Sequence, residues 1–175
     1  MRNTLAGATM NQDSAAHDKG DFGTAEVIAR PPRLFLAALL LGLALDRLLP
    51  LRLGTHEGGP AHWIAGGFLV VIGLALATAG IRNFGSAATP VPTIEPTRTL
   101  VTTGIHGFSR NPIYLGMFLI YAGIGVAVRS SWMLLLALPL IIVMRYGVVG
   151  REEAYLERRF GDSYRAYKAR VRRWL

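Results

Sequence analysis

Two groups of residues in this chain combine types and spacing that could do chemistry. The first is the run Gly104-Ile105-His106-Gly107-Phe108-Ser109-Arg110-Asn111-Pro112-Ile113-Tyr114-Leu115-Gly116. Pro112 suits the first turn of a helix, where its missing N–H is no loss, and the free N–H groups beside it can face a ligand. Asn111 and Tyr114 then fall one turn apart on one face. A capped turn anchored by Tyr114 and Arg110 explains the same spacing without chemistry, and spacing alone favours it. The second group is Arg151-Glu152-Glu153, directly after an apolar stretch. If a helix ends there, two adjacent carboxylates meet the partial negative charge of its C-terminus. Something positive must compensate, and neighbouring arginines and a bound cation are equally open.

The elements that must position these groups follow from composition. Of 175 residues, 51% are hydrophobic and 17% charged, which points to a bilayer as the solvent of a single all-α domain. Four apolar stretches, 34–49, 61–81, 112–128 and 132–150, each approach the roughly 20 residues a helix needs to cross hydrocarbon. The segment 68–79 shows almost no polar face, unlike a helix of a soluble bundle. The expected architecture is an integral membrane bundle of about four transmembrane helices over 33–175, preceded by a polar, mobile tail at 1–32 that ends on Pro31-Pro32. Gly73, Ala77, Gly116 and Gly123 read as helix-packing positions.

After residue 150 the pattern changes. Gly161-Asp162 reads as a helix C-cap followed by an N-cap. Leu156, Phe160, Tyr164, Tyr167, Val171 and Trp174 recur every three or four residues with Arg and Lys opposite, so 151–175 is expected to form amphipathic interfacial helices. With the tail inside, fifteen Lys and Arg fall on inner segments against two, Arg52 and Arg129, in the outer loops. Both termini are therefore expected in the cytoplasm. The loop 82–111 and the C-terminal segment then share a face. The net charge of +8 serves orientation and anionic lipid; the basic residues do not interleave with aromatics as in a nucleic-acid module, and no nucleic acid is expected. The absence of cysteine excludes disulfides, thiolate nucleophiles and zinc–thiolate sites, and no metal is expected.

The run Ser109-Arg110-Asn111-Pro112-Ile113-Tyr114-Leu115-Gly116, followed about thirty-five residues later by Glu152-Glu153 and then Leu156, Phe160-Gly161, Tyr164, Tyr167, Val171 and Arg173, resembles the signature of the isoprenylcysteine carboxyl methyltransferase and phospholipid methyltransferase superfamily. The upstream stretch Arg98-Thr99-Leu100-Val101-Thr102-Thr103-Gly104 fits it as well. The resemblance implies an S-adenosylmethionine site in a helical membrane scaffold, consistent with the lack of a G-x-G-x-x-G after a strand. It implies cofactor contacts from Asn111 and Tyr114, with Gly116 in the same motif, and from the acidic pair Glu152 and Glu153. Tyr164, Tyr167, Arg170 and Arg173 would close the pocket from the cytoplasmic side. Arg110 and Arg173 are the catalytic candidates, able to grip the methionine carboxylate or an anionic substrate group.

The chain departs from that pattern after Gly104, where Ile105, His106 and Gly107 replace Pro, an aromatic and Arg. Asn111, in place of His, removes a candidate acid or base. His106 reads either as a general base or, more simply, as a loop histidine. The implied reaction is methyl transfer to a carboxylate, amine or thiol of a lipid or hydrophobic small molecule, in the bacterial inner membrane. Two other readings are a non-enzymatic transporter or partner-stabilising subunit, and an interfacial lipid-binding anchor. A transporter is expected to place ionisable groups mid-helix, where only Arg145 qualifies. An anchor leaves the Asn-Pro-x-Tyr element unexplained.

Overall fold

The computed structural model describes residues 24–51, 60–92 and 95–175. Most of the expected tail, including Arg2 and Lys19, and the outer-loop Arg52 lie outside the described residues.

The described chain is helical, with no strand. Helix α1 spans Pro31–Leu48 and begins on its two prolines, where the fixed backbone is already helical and no donor is lost. Helix α2 spans Ala61–Ser86, five residues past the apolar stretch read from sequence. A 3-10 turn, Gly104–Gly107, precedes α3, Pro112–Ala127, which has Pro112 in its first turn. Helix α4, Ser131–Val143, starts where the Ser130 hydroxyl accepts the Met133 N–H at 3.0 Å.

Here the structure departs from expectation. The helix does not stop near Gly150. It widens into a π-helical turn, Met144–Val149, and continues as α5, Gly150–Phe160, a continuous helix from Ser131 to Phe160. Charged side chains do not break a helix, and no glycine or proline stands at 151–153 to do so. The supposed clash of Glu152 and Glu153 with a helix C-terminus therefore does not arise. The true break is Gly161, whose φ of +52° and ψ of −124° suit a residue without Cβ. Helix α6, Asp162–Arg170, follows; Asp162 sits in its first turn, bonded to Arg165 at 2.6 Å, and not at the cap.

Two contacts organise the bundle. Gly66, Gly73 and Gly80 recur every seventh residue along α2 and face Gly123, Gly116 and Ile113 of α3. A Cβ on Gly73 would lie 2.6 Å from the Gly116 carbonyl, and one on Gly116 2.5 Å from the Gly73 carbonyl, so the backbones touch. Helix α1 instead packs mainly on α4, with Gly42 against Met133. Between them lies a core of Phe35, Tyr114, Tyr121, Met133, Met144 and Val148.

The outer face of α2 presents Trp63, Ile64, Phe68, Val71 and Leu74, all at least half exposed. Among the described residues, α2 and the helix from Ser131 to Phe160 are the two long and apolar enough to cross a membrane. An apolar surface this continuous is stable against lipid and not against water.

Gly67 tests the packing by contrast, since a Cβ there meets nothing within 4 Å. Gly73→Ala is expected to lower the unfolding temperature in detergent, at a cost of roughly 1–3 kcal/mol from overpacking. Gly67→Ala should leave it unchanged or higher. Equal effects would contradict the backbone contact.

Candidate functional site

Three segments distant in sequence meet at the end of the bundle where α3 begins: the 3-10 turn with the start of α3, the first turns of α5, and α6 with the residues after it. Glu153 on α5 is the junction. Arg173 holds both its oxygens in a fork, Nε to Oε1 at 3.0 Å and an Nη to Oε2 at 2.7 Å. Arg110, just before α3, places Nη1 3.2 Å from Oε1. One turn further along α3, the Tyr114 hydroxyl donates to Glu152 Oε1 at 2.6 Å. Arg110, Tyr114, Glu152 and Glu153 sit largely out of water, the two glutamates 6% and 9% exposed, while Arg173 is partly exposed.

Backbone bonds lock the C-terminal segment onto the start of α3. The Arg110 N–H donates to the Arg172 carbonyl at 3.0 Å, and the Asn111 side-chain amide donates to the Arg173 carbonyl at 2.9 Å. Tyr167 donates to the His106 carbonyl at 2.7 Å. The loop after α2 and the C-terminal segment, expected to share a face, pack directly together.

Between these segments lies a cleft of about 620 Å³, counting the part that opens to solvent. Its polar wall carries Arg110, Asn111, Tyr114, Glu152, Glu153, Tyr164 and Tyr167, and its apolar wall Phe84, Leu100, Val101 and Leu156. Arg173 is not on the wall and acts on it through Glu153. Gly116 is buried against Gly73 and Ala77 of α2 and does not line the cleft. Arg170 is exposed on α6, its Nε donating to the Ala166 carbonyl at 3.4 Å, and does not line it either.

Two wall residues have buried polar atoms without a hydrogen-bond partner: Thr97 Oγ1, and Nε and Nη1 of Arg110. The Arg110 Nη1 is near enough to Glu153 for an ion pair but not aligned for a hydrogen bond. Buried donors left unpaired are costly, and a ligand oxygen in the cleft would relieve them. Burial raises the Tyr164 phenol and takes Tyr167 up to about 12, so both remain protonated donors. The bond to Glu153 holds the Arg173 guanidinium above its usual range.

Several contributors escaped the sequence reading. Asn83, near the end of α2, donates from its one amide nitrogen to the Thr103 carbonyl at 2.7 Å and to His106 Nδ1 at 2.9 Å. Because a carbonyl can only accept, the first bond fixes the amide's orientation and makes Nδ1 of His106 an acceptor. The imidazole is thus neutral, protonated on its other nitrogen. Gly104, with φ +57°, passes so close to Asn83 that a Cβ would lie 2.9 Å from its Oδ1. Tyr155 accepts the Thr97 N–H at 3.1 Å and thereby holds the wall strand of chain that carries Thr97. Tyr155 lies three residues after Glu152, a helical spacing that places it on the same face; nothing near Thr97 marks it.

Among the described residues no group of three or more His, Cys, Asp or Glu could hold a metal. A family model described as phospholipid methyltransferase matches residues 61–163, more than half of the chain. A protein of Haemophilus influenzae described as "Uncharacterized protein" is 41% identical over 63 residues, 36% of this chain and the whole of its own length. No solved structure matches.

Burial lowers the His106 pKa from an ordinary 6.5 to about 4. A folded-state value below the unfolded one means that the unfolded chain takes up the proton first as pH falls. The contribution of neutral His106 is complete above about pH 6.5 and is lost progressively down to about pH 4. His106→Gln should therefore show a shallower loss of thermal stability than the parent protein across that window. Parallel curves would show that the buried histidine does not contribute.

Proposed function

Because the chain belongs to the phospholipid methyltransferase family, we propose that it transfers a methyl group from S-adenosylmethionine to a lipid-like acceptor in the cleft between α3, α5 and α6. The observation that carries this is the convergence of two buried carboxylates, three phenols and a guanidinium with free donors on one pocket. Such a set suits a molecule carrying a sulfonium, a carboxylate and an aromatic base.

Each residue has a physical task in this reading. Arg110 offers its unpartnered Nε and Nη1 to the methionine carboxylate, while Glu153 and Arg173 fix where that guanidinium lies. Tyr114 orients Glu152 through a 2.6 Å bond, and the carboxylate with the faces of Tyr164 and Tyr167 favours nearby positive charge. Asn111 holds the C-terminal segment over the start of α3 and keeps water from the pocket. Phe84, Leu100 and Val101 supply the apolar wall for a flat ring. When bound, S-adenosylmethionine supplies an activated methyl group on sulfur. The protein's contribution is then chiefly positioning and exclusion of water, which can be worth several kcal/mol. His106 serves as a wall element, since its Nδ1 is already engaged by Asn83.

In the same reading α1 and α3 also span the membrane, α1 with 18 residues and α3 with 16, and 151–175 lies at the cytoplasmic interface with both termini inside. The acceptor atom is a carboxylate, amine or thiol. The rival transporter reading loses its support in the structure: Arg145 is exposed, with its guanidinium 5.6 Å from the Tyr146 ring centroid, and does not face the bundle interior.

Calorimetric titration of S-adenosylmethionine into the purified full chain tests the proposal. The parent protein should bind, and Arg110→Lys and Tyr114→Phe should each weaken binding about tenfold, roughly 1.4 kcal/mol, while unfolding cooperatively. No binding by folded parent protein would defeat methyl transfer from this cofactor. Unchanged binding by both variants would move the site elsewhere.

A further inference from the structure

Arg145 stands where a membrane helix rarely carries a charge. It lies inside the continuous helix from Ser131 to Phe160 and is exposed, as is Tyr146 beside it. Among the described residues its guanidinium has no carboxylate partner, and the Tyr146 ring, 5.6 Å away, is its recorded contact.

Two contacts fix what lies level with it on α1. A Cβ on Gly42 would lie 3.3 Å from the Met133 Cα, and the Ile28 N–H, just before α1, donates to the Gly147 carbonyl at 3.1 Å. The two helices run antiparallel, and these contacts are separated by the same number of residues on each. Arg30 therefore lies level with Arg145, with Arg33 less than one turn further into α1. Both are exposed, and among the described residues neither has a carboxylate partner. Three arginines thus form a belt on the α1–α4 pair.

The belt sits deep. Trp132 Nε1 donates to the Leu49 carbonyl at 2.7 Å, which ties the outer ends of α4 and α1 to one level. From Trp132 to Arg145, and from Asp46 back to Arg33, the helical rise is about 20 Å. Along α2, from Ala61 to Ile81, it is about 30 Å, which matches the hydrocarbon thickness. With α1 and α4 crossing the bilayer as proposed, their apolar span is roughly 10 Å short. Lipid beside a short face thins, and its head groups follow the charge inward. A guanidinium at that depth is stable when a phosphate meets it in a charge-assisted fork. Three positive charges at one level favour a head group that brings no cation of its own.

We propose that Arg30, Arg33 and Arg145 seat the phosphate of an anionic phospholipid, drawn below the ordinary head-group level of the cytoplasmic leaflet. This goes beyond methyl transfer; it rests on the membrane placement of α1 and α4 and not on what the cleft binds. Glu152 and Glu153 lie about 10 Å beyond Arg145 along the same helix, so the lipid that fixes the depth of Arg145 also fixes the depth of the cleft.

The test is native mass spectrometry of the full chain released from nanodiscs of phosphatidylcholine with a minority of phosphatidylglycerol, acyl chains matched. The parent protein should retain phosphatidylglycerol preferentially. Arg30→Gln, Arg33→Gln and Arg145→Gln combined should cut that retention about tenfold. Arg82→Gln, Arg98→Gln and Arg158→Gln combined remove the same charge from exposed sites outside the belt and should leave it unchanged. Arg145→Lys, which can meet phosphate as a point charge, should keep most of it. As a second measurement, Arg145→Leu lengthens the apolar run of α4 and should shift the unfolding temperature in favour of long-chain over short-chain phosphatidylcholine nanodiscs.

Equal retention of both lipids by folded parent protein, or equal loss in the two combined variants, would overturn the seat. A chain-length preference in Arg145→Leu identical to the parent's would overturn its depth. Failure of the full chain to enter nanodiscs would defeat the membrane placement and the seat with it, while S-adenosylmethionine titrated on the same samples reports on the cleft separately.

Discussion

A carboxylate buried on a membrane helix is stable only if opposite charge is brought to it, and Glu153 takes its compensation from two places. Arg110 comes from the turn before α3 and Arg173 from beyond α6. Removing one partner of such a group typically costs about 3–5 kcal/mol, because the remaining charge is left stranded. The requirement forces three separate stretches of chain to one point. The C-terminal segment cannot leave without exposing Glu153 and Arg110 together, and its backbone bonds to Arg110 and Asn111 make the closure rigid. The cleft is the space left between segments drawn together in this way.

The remaining architecture makes that convergence possible. The glycine contact of α2 with α3 lets two backbones touch and sets the start of α3 beside the end of α2, within reach of Asn83. The π-helical turn ahead of α5 opens a helical turn next to the carboxylates. The Gly147 carbonyl there accepts the Ile28 N–H at 3.1 Å, and the Ile28 side chain lies directly on Gly147. Arg151 reaches the Glu26 carbonyl at 2.9 Å, so the segment before α1 straps the same turn. Widened turns of this sort recur at functional sites, where they re-aim the residues that follow. Here those residues are Glu152 and Glu153.

The helices were legible from hydropathy because lipid imposes length and uniformity: 61–81 and 112–128 fall almost entirely on α2 and α3. The end of the fourth helix was not, since polarity at Arg151 marks a change of surroundings and not a break in backbone bonding. The Asn111, Tyr114, Glu152 and Glu153 group was visible because its residue types are expensive beside apolar helices. Arg110 and Arg173 could be singled out, but not that both serve Glu153, because that depends on a long-range meeting with no local trace. The same holds for Asn83 and Thr97. Gly116 illustrates a different ambiguity: a glycine inside a chemical motif can equally be a packing position, and the contact with Gly73 shows which physical demand it meets.

Membership of the phospholipid methyltransferase family and a pocket built on paired carboxylates are what support the proposed methyl transfer to a lipid-like acceptor. The most direct measurement is transfer of an isotopically labelled methyl group from S-adenosylmethionine to a bacterial lipid extract by the purified full chain, with Glu153→Gln alongside. Label in the lipid fraction from the parent protein, reduced at least tenfold in the variant, is the expected result. A folded parent protein that leaves the lipid fraction unlabelled would contradict it, as would a variant that labels it equally well.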